Sequence, residues 1–232
     1  MELKGKRAIV LGGTSGIGLA VSKQLVAAGA RVTAASRTAT RAVAEDVAVR
    51  PVDVLNRAGL AQLFKELAPF DILVNAATGG SRATGPFLAM DLEAFEGSFR
   101  KLWGYVNSVR LGAPHMSERG SIVLISGSPA RKVMPGMSAI STVGNAVEGF
   151  VRAVAPELAP RRINVVAPGV IDTPMFAAAG EQREAFLKQA TARNLIPRAG
   201  TADEVADAVL FLLRNEFTTG TTIDVDGGAL LS

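Results

Sequence analysis

Short, continuously apolar runs alternate with longer helical patterns almost to the end of this chain, and that alternation is its tightest constraint. The runs occupy residues 7–11, 31–35, 48–52, 72–75, 121–126, 163–167 and 222–225. Stretches such as AIVL, DILVN, SIVLIS and INVVA are apolar at nearly every position, as suits strands covered on both faces. Helical patterns over 16–28, 56–67, 91–113, 136–159 and 201–213 separate them. Strands joined by helices form a parallel sheet through right-handed crossovers. The expected fold class is therefore α/β: a Rossmann-like, doubly wound, mostly parallel sheet of seven strands with helices on both faces. Thr201-Ala202-Asp203-Glu204 has the spacing of a capping box and marks the start of the last helix. No repeat, linker or low-complexity tract interrupts the pattern, so residues 1–232 read as one domain.

Two stretches break the rhythm. Residues 37–47 can hold a turn or two of helix, less than a full crossover contains. Residues 175–197 fall outside the alternation, after the sixth strand. Ligands of open α/β sheets bind at the carboxyl ends of the strands, where a helical excursion can cover them as a lid.

Composition removes several chemistries. The chain has no cysteine and one histidine, His115, which excludes disulfides, thiolate nucleophiles and Cys/His zinc sites. A Ser-His-Asp triad would depend on His115, which lies near a predicted helix end where capping or exposure is its more ordinary role. The net charge of +4 is scattered, with Arg161-Arg162 and Arg131-Lys132 the tightest basic pairs. With one Trp and one Tyr besides, no nucleic-acid surface is expected. No apolar stretch is long enough to cross a bilayer, and the opening MELKGKRAIVLGGTSGIG does not read as a signal peptide. A cytoplasmic protein with a small-molecule substrate, no membrane or nucleic-acid partner and no metal is the expectation.

The first strand runs directly into Gly12-Gly13-Thr14-Ser15-Gly16-Ile17-Gly18 and a helix. Glycines let a backbone approach a pyrophosphate without a Cβ in the way. The helix start supplies free N–H groups and partial positive charge. A tight structural turn is the competing reading, and the strand–loop–helix context argues against it. After the second strand, an acidic residue holds the ribose 2′-hydroxyl of NAD, whereas a cation there receives the 2′-phosphate of NADP. This chain reads Ala34-Ala35-Ser36-Arg37, which favours NADP(H) over NAD(H): Arg37 can pair bidentately with phosphate and Ser36 can add a hydroxyl. A merely solvated Arg37 is the alternative.

With this loop, Asp53-Val54, Leu73-Val74-Asn75-Ala76-Ala77 and Asn164-Val165-Val166-Ala167-Pro168-Gly169 in order, the chain resembles the short-chain dehydrogenase/reductase family. It looks most like the branch of the β-ketoacyl carrier-protein reductases, and the resemblance extends to Ile223-Asp224-Val225-Asp226-Gly227-Gly228. The resemblance implies that Gly12, Thr14, Ser15, Gly16, Ile17 and Gly18 form the cofactor loop, with Leu11 in place of a usual Thr. It implies that Asp53 meets the adenine amino group and that Val54 flanks the ring. Asn75, Ala76, Ala77 and Thr78 stand where the family has Asn-Asn-Ala-Gly. Pro168, Gly169, Val170, Ile171 and Thr173 match the segment that cradles the nicotinamide. A homodimer built on the helices of 91–113 and 136–159, or a homotetramer completed by residues 227–232, is also implied.

The family's Asn-Ser-Tyr-Lys tetrad is another matter. Its positions read Lys101, Gly127, Ile140 and Gly144, and no Tyr or Lys occurs between Met134 and Phe186. Neither Ile nor Gly can move a proton, and general acid–base catalysis contributes roughly 10²–10⁴-fold in rate. Three residues are candidate replacements. Ser128 stands beside the Ser position. Lys101 could place its ammonium in the space left by Gly144. Tyr105 shares a helix face with Lys101 at i+4. Against this, Tyr105 can simply pack in a helix interface while Lys101 snorkels to solvent, and Ser138, Ser141 and Thr142 can make local backbone bonds. The leading expectation is an NADP(H)-binding oxidoreductase acting on a small carbonyl or alcohol through a non-standard site. The alternative is a catalytically degenerate homologue serving as a cofactor-binding sensor, an oligomer partner or a non-redox enzyme.

Overall fold

The computed structural model describes residues 1–38, 44–175 and 180–232. Seven parallel strands form one sheet: β1 (Arg7–Leu11), β2 (Arg31–Ser36), β3 (Val47–Pro51), β4 (Phe70–Asn75), β5 (Met116–Ile125), β6 (Arg162–Pro168) and β9 (Thr222–Val225). Their spatial order is β3-β2-β1-β4-β5-β6-β9, which reverses direction of growth between β1 and β4. The helices are α1 (Gly16–Ala27), α2 (Arg57–Leu67), α3 (Leu92–Ser98), α4 (Arg100–Gly112), α5 (Ser138–Leu158), α6 (Gly180–Thr191) and α7 (Ala202–Arg214). The expected α/β doubly wound class and seven-stranded sheet are both present.

Strand side chains alternate between faces, and here both faces are covered. Val10, Val74 and Val123 pack against Val21 and Leu25 of α1 and Val205 and Val209 of α7. Their strand neighbours Ile9, Leu11, Leu73 and Leu124 pack on the opposite face with Leu60 and Phe64 of α2, Tyr105 of α4 and Val147 of α5. This double coverage explains why the strands read as unbroken apolar runs.

Three departures have local causes. The single helical pattern of 91–113 is two helices. At the break, the Ser98 hydroxyl donates to the Ala94 carbonyl (3.0 Å) and accepts from the Ala83 N–H (2.9 Å). Phe99 N–H turns to Glu96, a tightened i→i−3 bond. Strand β5 begins at Met116 rather than 121, joined to β4 through a register shift between Phe70 and Ile72. A second, two-stranded parallel sheet pairs β7 (Ile171–Asp172) with β8 (Gly200–Thr201). The expected turn or two of helix within 37–47 falls partly on residues 39–43, outside the described residues. The capping box forms: Thr201 Oγ1 accepts from Glu204 N–H (3.2 Å), and Glu204 accepts from Thr201 N–H (2.8 Å). Among the described residues, no helix is long and apolar enough to cross a membrane.

Candidate active and cofactor site

The glycine loop is shaped by close approach. Gly12 has φ +75°, and a Cβ on it would lie 2.8 Å from the Ala77 backbone nitrogen. A Cβ on Gly18 would lie 2.1 Å from the Gly12 carbonyl oxygen. The loop is anchored on both sides, Gly12 N–H to the Ala35 carbonyl (2.7 Å) and Ala76 N–H to the Leu11 carbonyl (2.9 Å). Helix α1 starts at Gly16, just beyond the carboxyl end of β1, with no acidic residue in its first turn and no side-chain cap on its first N–H groups. Thr173 stands against this start, 3.4 Å from the Cβ position of Gly16. Thr14 donates to the Ser36 hydroxyl (2.9 Å), tying the loop to the end of β2. Arg37 follows there, exposed and without an ion pair among the described residues.

Other residues of the expected cofactor shelf gather along the same edge but use their side chains for structure. Asp53 accepts from Leu55 N–H (2.9 Å) within the turn after β3. Val54 is buried against α4, which can approach because Gly104 carries no side chain. Asn75 is fully buried, donating to Ser108 Oγ (2.9 Å) and accepting from Ala77 N–H (3.0 Å). Pro168 ends β6, and Gly169 lies so close to Asp226 that a Cβ would come within 2.8 Å of its Cα. Val170 and Ile171 lead into β7, where the Val170 carbonyl accepts from Gly200 N–H (3.0 Å). A glycine cradle that a Cβ would fill and a bare helix start fit a dinucleotide.

At the expected tetrad positions, Gly144 is closely approached by a neighbouring turn. The 3₁₀ turn Ser128–Ala130 lies on α5, and a Cβ at Gly144 would meet Ala130 Cβ at 2.8 Å. The Asn145 side chain also bonds the Ala130 carbonyl, holding the turn down. Gly127 is extended and has only Pro129 and Pro168 within 4 Å of its Cβ position. Ser128 is buried at the start of the turn, and Ile140 is half-buried in the first turn of α5.

Lys101 and Tyr105 share one face of α4, as their spacing implies, and Lys101 Nζ lies 5.7 Å from the Tyr105 ring centroid. They are not equivalent. Tyr105 is wholly buried and its hydroxyl donates to the Ile125 carbonyl (2.8 Å), while burial pushes its pKa far up. It belongs to the core. The Lys101 ammonium donates instead to the Ser126 carbonyl (3.1 Å), one residue before Gly127. Burial, and secondarily the nearby Arg82 guanidinium, lower its pKa to about 7.

Three participants were missed by sequence reasoning. Glu148, almost fully buried, lies 3.4 Å from both Ser126 Oγ and Arg131 Nε. Arg131 makes a two-pronged bond to Asp224 on β9. Ser126 Oγ donates to the Gly144 carbonyl (3.3 Å), so the network reaches one of the expected tetrad positions. The available signal was an acid on the stripe Gly144-Glu148-Val151-Ala155, a helical face otherwise without charge. The third is Arg82, whose Nη1 reaches Met175 Sδ (2.9 Å) from the loop after β4. That loop crosses the first turn of α4 at Gly79, whose Cβ would lie 2.6 Å from the Arg100 carbonyl oxygen.

In the 175–197 segment, residues 176–179 lie outside the described residues. The remainder contains α6, tied down where Arg183 bonds Asp172 (2.8 Å) and the Thr173 carbonyl (2.7 Å). His115 is half-buried in the 3₁₀ turn Ala113–His115 that follows α4. Among the described residues no group of His, Cys, Asp or Glu side chains could hold a metal.

A family profile described as enoyl-(acyl carrier protein) reductase matches residues 12–229. A short-chain dehydrogenase/reductase, ATR9, of Stachybotrys chlorohalonatus is 31% identical, with 99% of this chain and 98% of the relative covered. L-xylulose reductase of Bos taurus is 34% identical, with the same coverage of 99% and 98%. Among solved structures, a small-chain dehydrogenase in complex with NADPH is 30% identical, superposes with a TM-score of 0.84, and is matched over 99% of this chain and 100% of its own. With its parallel sheet, its glycine cradle and relatives alike over their full length, the chain belongs to the short-chain dehydrogenase/reductase family, whose members bind a nicotinamide cofactor.

Proposed function

We propose that this protein is an NADP(H)-dependent oxidoreductase that interconverts a small carbonyl compound and its alcohol at a rebuilt site. The observation that carries the reading is an intact cofactor cradle beside a single ammonium, Lys101, next to the emptied tetrad. The reduced nicotinamide, when bound, supplies the hydride. The chain's own residues do the rest. Arg37, Ser36 and Thr14 hold the 2′-phosphate, and the α1 start holds the pyrophosphate. Lys101, with its pKa lowered to about 7, gives a proton to the carbonyl oxygen in one direction and takes it back in the other. L-xylulose reductase, by its name, reduces a small polar carbonyl compound, which is in keeping with this class. A homo-oligomer built on the outer faces of α4 and α5, located in the cytoplasm, completes the proposal.

The test is a fluorescence titration with NADPH and NADH in parallel, followed by a carbonyl screen with the better ligand. NADPH should bind at least about tenfold more tightly, and Arg37→Ala should erase that preference with little effect on NADH. A second reading, cofactor binding without redox turnover, is favoured by one observation: a Cβ at Gly144 would meet Ala130 Cβ at 2.8 Å, so that position takes no longer side chain as the turn stands. Stoichiometric NADPH binding with no turnover across a broad panel would select it.

A further inference from the structure

The pole of the sheet opposite the glycine cradle holds a cavity of about 490 Å³. Its walls come from the places where strands begin. Arg7 opens β1, Arg31 opens β2, Phe70 opens β4, and Asp46 stands one residue before β3. Arg7 and Arg31 are direct partners in the parallel register of β1 and β2. Neighbouring strands run about 4.8 Å apart and paired residues point to the same face, so the two cationic side chains leave the sheet side by side. Arg7 is half-buried and Arg31 exposed. Among the described residues neither guanidinium has an ion pair or a hydrogen bond. Asp71, next to Phe70, is engaged by the Arg7 backbone N–H (3.0 Å), Ser117 Oγ (2.9 Å) and Lys6 Nζ (3.5 Å). Like charges set directly opposite on paired strands oppose one another.

We infer that this cavity is a binding site for a small dianion, a phosphate ester or a dicarboxylate, held by the Arg7 and Arg31 guanidiniums. Planar guanidinium forks take oxyanions two oxygens at a time, and one anion shared by both cancels their repulsion. Thr33, two residues along β2 on the same face, brings a hydroxyl donor to the cavity wall. Asp46 in that wall limits the negative charge the site can take, which favours a small anion over a polyanionic chain. The site is separate from the cofactor edge: Arg31 and Arg37 stand at opposite ends of β2, about 20 Å apart at the rise of a strand. The inference therefore goes beyond the oxidoreductase reading and does not rest on it.

Calorimetry on the whole protein, saturated with NADPH so that the cofactor edge is filled, would titrate inorganic pyrophosphate and malonate separately. At least one of them should bind saturably, and Arg31→Gln should weaken that binding about tenfold or more, the loss of a charge-assisted hydrogen bond. Arg37→Ala should leave it within about twofold, because the two positions lie farther apart than salt screening allows charges to act. Binding of pyrophosphate alone assigns the site to phosphate esters, and binding of malonate to dicarboxylates. No saturable binding of either probe overturns the inference. So does binding that Arg37→Ala abolishes and Arg31→Gln leaves intact, which assigns the anion to the cofactor edge. In buffer free of both probes, Arg31→Gln should melt no lower than the wild type, since it removes a like-charge neighbour. A lower melting temperature means that Arg31 already has a favourable partner, and it too overturns the inference. If NADPH does not bind at all, the oxidoreductase reading falls, and the same titrations on the free protein still decide between Arg31 and Arg37.

Discussion

At residue 101 an ammonium is kept where burial and Arg82 both oppose its charge, and its pKa falls to about 7. An unfolded lysine titrates near about 10.4. Between those values the unfolded chain holds a proton that the folded chain has lost, so stability rises with pH across that window. Below about 7 both states are protonated and the folded state bears the full penalty. Urea unfolding from pH 7 to 10 should therefore show wild-type stability increasing, with Lys101→Met markedly flatter. Reduction needs the protonated amine, so kcat/KM should decline as pH rises through about 7. A Lys101→Met variant with unchanged turnover would remove Lys101 from the chemistry. Nearby, Gly144→Lys should cost about 1–3 kcal/mol by overpacking against Ala130 and should restore no activity. Thermal melts and NADPH consumption would check both parts. The glycine cradle was legible in the sequence because its constraints are local: a strand, a tight loop and a helix in one short stretch. The seat of Ala130 on Gly144 was not, because it depends on how a turn meets a helix from elsewhere in the chain.

Among the elements, α5 carries the largest departure from a plain amphipathic helix. Its buried Glu148 is held by Arg131, which also anchors Asp224 of β9, so one guanidinium joins the turn after β5, α5 and the sheet edge. Removing it strands a buried carboxylate. Arg131→Ala should destabilise the fold by about 2 kcal/mol, less than the roughly 3–5 kcal/mol of a fully buried pair because the Arg131 side chain is 34% exposed. Glu148→Gln should cost less, since its amide still fills the site. Denaturant unfolding of the two variants at neutral pH gives the comparison, and an equal or greater loss in Glu148→Gln would refute the assignment. Helix existence was readable from periodicity, and the α7 start from its capping box. The break between α3 and α4 was hidden because Ser98 acts through Ala83, a partner in a preceding loop. The bridge between β7 and β8 involves two residues on each side, too few to leave a periodic signature.

For the molecule as a whole, two hydrophobic clusters sandwich the sheet, and the outer surface of α4 still presents Trp103 at 54% exposure. An aromatic that size rarely stays in water when a partner surface can cover it. Light scattering should give a dimer or tetramer, and Trp103→Glu should shift it towards monomer. A wild-type monomer at micromolar concentration would set aside the α4–α5 interface. The seat of Ala130 on Gly144 also bears on what this site can become. With the turn resting there, a side chain at position 144 has to displace Ala130 before it can reach the space beyond. A laboratory attempt to install a longer side chain there would have to reshape residues 128–130 first. Until it does, variation at position 144 stays confined to the smallest residue, whatever the neighbouring positions acquire.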